Sequence, residues 1–154
     1  MIKKIKIRDS IYILKESEDV YTVVFTATRK IKRFKVDNLV KDIISAINNE
    51  RDLENLLFEL EASYPRETII SCMNSLERQS IVNIYEEEFY SDRYKRQINF
   101  IEELTISSNE TIALQKKLEI SKIAVFGIGG IGTWIVNGLH QIGIGEIRIT
   151  DPDV

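Results

Sequence analysis

All seven glycines of this 154-residue chain fall between Gly127 and Gly145, and the first 126 residues contain none. Glycine reaches positive φ and permits close backbone approach without steric cost. A chain that confines it to one short stretch makes different backbone demands on its two parts, so two domains are expected. The late part centres on Gly127-Ile128-Gly129-Gly130-Ile131-Gly132, directly after the apolar run Ile123–Phe126.

That run reads as a short buried strand. The loop then opens a helix through about Gln141, which Gly143 and Gly145 end. Glu146–Thr150 (EIRIT) forms the next strand, with Asp151 at its tip. Each glycine has a mechanical reason. Gly127 allows a tight turn, Gly129 lets the backbone approach phosphate, and Gly132 lets helix and strand pack closely. The helix N-terminus offers unpaired N–H groups to an anion. Asp151 is placed to accept from a ribose hydroxyl. Residues 119–154 are therefore expected to begin a Rossmann-like, parallel-sheet nucleotide-binding domain that the chain leaves unfinished. The bland alternative is a glycine turn whose site has decayed and only packs. The spacing alone fits NAD as well as ATP.

The glycine-free part reads as an α+β domain over residues 1–88. Strands are expected at Ser10–Leu14, Tyr21–Thr26 and Ile31–Val36, the last an edge strand guarded by lysines. Three helices should follow. Asp37 caps the first, with Leu39, Val40, Ile43, Ile44 and Ile47 at helical spacing. Asp52 caps the second, with Leu53, Leu56, Leu57 and Leu60 inward. After Pro65 a third helix, 67–78, buries Ile69, Ile70, Met73 and Leu76. Ile81–Tyr85 closes the segment. Strands followed by helices with a tight turn give a winged-helix-like plan. Residues 89–118 form a helical connector. The run Glu86-Glu87-Glu88 reads as a solvated turn, Tyr90–Glu103 as a helix, and Ser107 with Glu110 as the capping box of another.

Composition narrows the function classes. The net charge of −3 argues against a general nucleic-acid binder. Residues 1–37 nevertheless carry ten Lys/Arg against five Asp/Glu, concentrated in Arg29–Lys35 (RKIKRFK). No apolar run approaches the ~20 residues of a membrane span, and no secretory signal is evident, so a cytoplasmic protein is expected. The single cysteine, Cys72, excludes an internal disulfide or an all-cysteine zinc site within the chain.

Three motifs together resemble the ThiF/MoeB family of the ubiquitin-activating-enzyme superfamily. Gly127, Gly129, Gly130 and Gly132 match its Gly-x-Gly-Gly-x-Gly loop. Asp151 and Asp153 match its Asp-x-Asp-x-Val motif. Arg93, Tyr94, Arg96 and Gln97 match its Arg-Tyr-x-Arg-Gln motif. The resemblance covers roughly residues 90–154. It implies ATP and Mg2+ as cofactors and adenylation of a protein or peptide carboxylate. It places Asp151 on the ATP ribose and Asp153 beside it. It makes Arg96 a catalytic cation reaching the triphosphate of a neighbouring subunit, hence a homodimer. The family's metal-holding aspartate and its phosphate lysine lie further along the domain, so residues 1–154 alone are not expected to adenylate, and no metal ligand is assigned within them.

The order of elements in residues 1–88 resembles the precursor-peptide recognition element of enzymes that modify ribosomally made peptides. That implies a leader peptide added as a strand beside the third strand. Lys30, Lys32, Arg33, Phe34 and Lys35 are the candidate peptide-binding residues, suited to an acidic leader. A purely structural domain is the bland alternative. Two functions of different class follow: an active adenylating enzyme, or an inert ThiF-like protein that delivers a precursor peptide to a partner modifying enzyme. An NADH-sensing winged-helix repressor is a third reading, weakened because residues 66–78 carry two arginines and two glutamates. His140 reads as a surface or helix-end residue, Cys72 as buried, and Trp134 as packing. Tyr12, Tyr21, Phe25 and Phe34 read as sheet core.

Overall fold

A computed structural model describes residues 3–47, 50–86 and 92–153. The chain forms two compact units, residues 1–111 and residues 112–154. It is a mixed α/β protein.

In the first unit, β1 (Lys4–Ile7) pairs antiparallel with β6 (Val82–Tyr85) on one side and with the two-residue β5 (Arg51–Asp52) on the other. A second sheet is the meander β2 (Ile11–Lys15), β3 (Val20–Phe25) and β4 (Ile31–Lys35), with β3 central. Helices α1 (Asn38–Ala46), α2 (Leu53–Leu60) and α3 (Arg66–Arg78) follow. Asp37 and Asp52 accept from the amides of Val40 and Asn55, at 2.9 and 3.0 Å, so both N-caps form as the sequence indicates. Ile5, Val23, Ile43, Leu56, Ile69 and Val82 are fully buried in one core shared by sheets and helices.

Four strands precede the helices, where the sequence suggested three. The missed strand is Lys-Ile-Lys-Ile, read only as a basic N-terminus. Its single buried residue, Ile5, gives too weak an alternation to identify it, and the β6 partner lies nearly eighty residues away. Tyr21 and Phe25 are core, and Phe34 is half-buried. Tyr12, also expected in the core, is 66% exposed because Ile11 takes the inward position on that strand. Ile70, expected inward, is 38% exposed.

A unit without glycine must make its turns from other residues. Arg29 and Ser80 do so at φ 56° and 62°, conformations that cost a non-glycine residue free energy. Ser80 occupies the left-handed position that ends α3. Its amide donates to the Glu77 carbonyl at 2.8 Å, and that of Ile81 donates to the Leu76 carbonyl at 2.9 Å. This is a Schellman closure with serine in place of glycine.

A single 3₁₀ turn, Asp92–Tyr94, leads into α4 (Lys95–Glu102). Residues 87–91, with most of the acidic run and the expected start of this helix, lie outside the described residues. The α4 end is fixed by Arg8, which is 1% exposed. Its guanidinium donates to the carbonyls of Glu102, Thr105 (3.4 Å) and Ile106 (3.0 Å). The buried Glu102 side chain accepts from Asn83 Nδ2 at 2.6 Å. Glu103 reaches the β3–β4 hairpin, where its carboxylate accepts from the amides of Ala27 (2.8 Å) and Thr28 (2.6 Å). Ser107 Oγ accepts from the Glu110 amide at 3.3 Å, and the Glu110 carboxylate accepts from the Ile106 amide at 2.9 Å. The capping box ahead of α5 (Ser108–Glu119) thus closes one residue further out than expected.

In the second unit, β7 (Lys122–Phe126) and β8 (Glu146–Thr150) are parallel, joined by α6 (Gly130–Gln141). A parallel pair requires such a crossover. A Cβ on Gly145 would lie 1.8 Å from the Glu119 carbonyl oxygen, so the entry to β8 admits no side chain there.

Replacing Arg8 by Met would leave the buried carbonyls of Glu102 and Thr105 without its donors. We expect a loss of about 2–4 kcal/mol in urea unfolding of the first unit. A loss below about 1 kcal/mol would contradict this role for Arg8.

Candidate functional site

The glycine loop joins β7 to α6. Gly127 has φ +86°, a conformation that favours glycine, and its amide donates to the Thr150 carbonyl at 2.7 Å. A Cβ on Gly132 would lie 1.9 Å from the Gly127 carbonyl oxygen, so the first turn of α6 sits directly on the loop backbone. Gly129 and Gly130 differ: a Cβ on either meets nothing within 4 Å. Packing within the unit does not require glycine at these two positions. They border open space at a helix N-terminus, where N–H groups lack helical partners.

Asp151 closes this loop. Its carboxylate accepts from the amide of Ile128, in the loop, and from that of Asp153 at 2.9 Å. The Ile128 bond, then the Asp153 bond, hold the Asp151 carboxyl below its ordinary pKa. Loop, helix start and both aspartates are therefore one assembly. Among the described residues no group of three or more His, Cys, Asp or Glu is gathered to hold a metal ion. Trp134, expected to pack, is 76% exposed: it stands on a face of α6 that nothing in this unit covers. His140 is exposed in the last turn of α6.

The first unit carries the other candidates. Arg96 is exposed in the first turn of α4, and Arg93 stands 5.3 Å from the Tyr94 ring. Lys30, Lys32, Arg33, Phe34 and Lys35 lie along β4 and its entry. This strand has no partner on its outer side among the described residues. Between it and α3 runs a groove of about 470 Å³, lined on the far side by Val40, Ser75, Leu76, Gln79 and Ile81. Lys32 Nζ reaches across to Gln79, 3.3 Å from its carbonyl and 3.2 Å from Oε1. Arg33 is paired with Glu16 at 2.6 Å. The sequence named residues on the β4 side of this groove and none on its far wall. The far wall comes from two separate stretches of chain, Val40 and residues 75–81, and no local spacing announces it. Cys72 is half-buried in α3, and burial pushes its thiol pKa up.

A parallel β–α–β unit with a glycine loop and an acid at the second strand's tip defines a Rossmann-like nucleotide-site architecture. Residues 94–154 match the ThiF family, so this part of the chain is ThiF-like. Among curated relatives, the chain is 37% identical over 83 residues to the adenylyltransferase and sulfurtransferase UBA4 of Lodderomyces elongisporus, covering 54% of this chain and 17% of that protein. It is 35% identical over 69 residues to tRNA threonylcarbamoyladenosine dehydratase 2 of Saccharomyces cerevisiae, covering 45% of this chain and 13% of that one. The chain spans less than a quarter of the length of the curated relatives it matches.

The fold is similar to that of the heterocyclase TruD, with TM-score 0.63 and 17% identity over 97% of this chain and 20% of that one. It is also similar to that of E. coli MccB, solved with ATP, with TM-score 0.62 and 20% identity over 95% of this chain and 42% of that one. These two likenesses extend over both units.

Two predictions follow from the loop geometry. Gly132→Ala should destabilise the second unit by about 1–3 kcal/mol, whereas Gly130→Ala should leave the thermal unfolding midpoint of the chain nearly unchanged. Equal effects would contradict the packing difference between them. The bond from Ile128 should also be acid-sensitive. A depressed carboxylate pKa contributes stability above the unfolded value of about 4 and loses it as pH falls through the lower folded value. Protection of the Ile128 amide from hydrogen exchange, corrected for intrinsic rate, should fall over that acid range and lose its pH dependence in Asp151→Asn.

Proposed function

We propose that the chain is the N-terminal part of a ThiF/MoeB-like, ATP-dependent adenylyltransferase that captures a ribosomally made precursor peptide and activates a carboxylate as its acyl-adenylate. One juxtaposition carries the reading: a glycine loop whose two central glycines have no packing role, in the same chain as an open strand edge beside a groove. The first feature suits a polyphosphate and the second an extended peptide. The likeness to MccB, which has been solved with ATP and with the peptide MccA, supports both halves.

In this reading the loop glycines 127, 129, 130 and 132 cradle phosphates, Asp151 accepts from the ribose, and Asp153 helps hold its end of the site. Arg96 acts on the triphosphate of a second subunit in a homodimer, offsetting charge that develops on the leaving pyrophosphate. Mg2+ enters with the nucleotide's phosphates, its ligands coming from outside the described residues. The N-terminal unit, winged-helix-like in its strand–helix order, holds the leader peptide against β4, and the protein works in the cytoplasm. A second reading is an inert ThiF-like protein that delivers the precursor to a modifying enzyme; the fold is as similar to that of a heterocyclase as to that of MccB.

The test is exchange of labelled pyrophosphate into ATP by the full-length protein with its peptide. We expect exchange, reduced roughly a hundredfold by Arg96→Ala. Peptide binding without exchange would favour the delivery role, and tight NADH binding would overturn the nucleotide assignment.

A further inference from the structure

The basic stripe on β4 is divided by the strand's own alternation. The amide of Phe25 donates to the Lys30 carbonyl and that of Val36 to the Asp19 carbonyl, each at 2.9 Å. With the register Val24↔Ile31 through Val20↔Lys35, Lys30, Lys32, Phe34 and Val36 turn their backbone groups toward β3. Ile31, Arg33 and Lys35 turn theirs to the open edge. An added strand would bond to those three. It would therefore meet Lys32 and Phe34 as non-hydrogen-bonded pairs, in which facing side chains approach most closely.

The two faces also differ. Lys32 and Phe34 stand opposite Val23 and Tyr21, both buried, and so lie on the α3 side of the sheet. Arg33 and Lys35 alternate to the other side, where Glu16 already neutralises Arg33. Arg33 and Lys35 also border the groove, but Lys32 is the β4 cation whose head group reaches across it to the end of α3. Its ammonium rests on two neutral oxygens of Gln79, and a carboxylate would make a stronger, charge-assisted bond. Beside it, Phe34, Val40, Leu76 and Ile81 offer an apolar floor.

We infer that the groove selects an extended peptide with an apolar residue followed two positions later by a carboxylate, the apolar side chain seated by Phe34 and the carboxylate read by Lys32. The inference rests on the peptide-capture reading above. Residues two apart share a face of a strand, and antiparallel addition, the more stable pairing, sets the order apolar first.

The test uses labelled ten-residue peptides of Ser/Thr background containing Leu-x-Glu, Glu-x-Leu, Leu-x-Gln or Leu-x-Lys, titrated against the full chain by fluorescence anisotropy. Leu-x-Glu should bind tightest, by roughly fivefold over Leu-x-Lys. Lys32→Glu should reverse that order, Lys32→Gln should flatten it, and Lys35→Glu, on the other face, should leave it intact. Circular dichroism confirms that each variant is folded. Binding that ignores the pattern, or a preference that survives Lys32→Gln, would overturn this inference while leaving peptide capture standing. Failure of every peptide to bind would overturn both.

Discussion

The first unit depends on one buried cation. The carbonyl of Glu102, at the end of α4, lacks a helical donor, as at the end of any helix, and with that of Thr105, three residues on, it is buried. Arg8 supplies the donors from the turn after β1. Each side of this contact needs the other, because burying a charge costs far less when it is hydrogen-bonded. The contact joins residues more than ninety positions apart. It makes the helix that carries the Arg-Tyr-x-Arg-Gln motif part of the unit that holds the β4–α3 groove.

Glu103, one residue beyond α4, extends the same junction to the β3–β4 hairpin. Two amides of a turn on one carboxylate hold the loop that delivers the chain into β4, next to Arg29 in its left-handed conformation. The open edge is therefore anchored at its start by the residue that follows the helix bearing Arg96, and its Lys32 and Phe34 face α3. Groove and arginine motif belong to one compact unit, although they were read from the sequence as parts of different segments.

The two candidate sites use backbone differently. The groove is built by side chains on regular elements, and its chemistry is set by which side of β4 each residue occupies. The loop is built by the absence of side chains. At Gly127 and Gly132 that absence serves the fold. At Gly129 and Gly130 it leaves open space beside the start of α6.

The sequence by itself determined the elements whose signals are local. Asp37 and Asp52 announced their helices, and the strand–glycine–helix–strand order announced the parallel pair. Only the tertiary structure decided β1, since a four-residue strand with one buried side chain has no periodicity to read. It likewise decided the burial of Arg8, the reach of Glu103 and the far wall of the groove. It also split the basic stripe, leaving Lys32 on the groove side while Arg33 pairs with Glu16 on the other. These features depend on partners distant in sequence, and a one-dimensional pattern records a residue's own preferences but not the surface it meets.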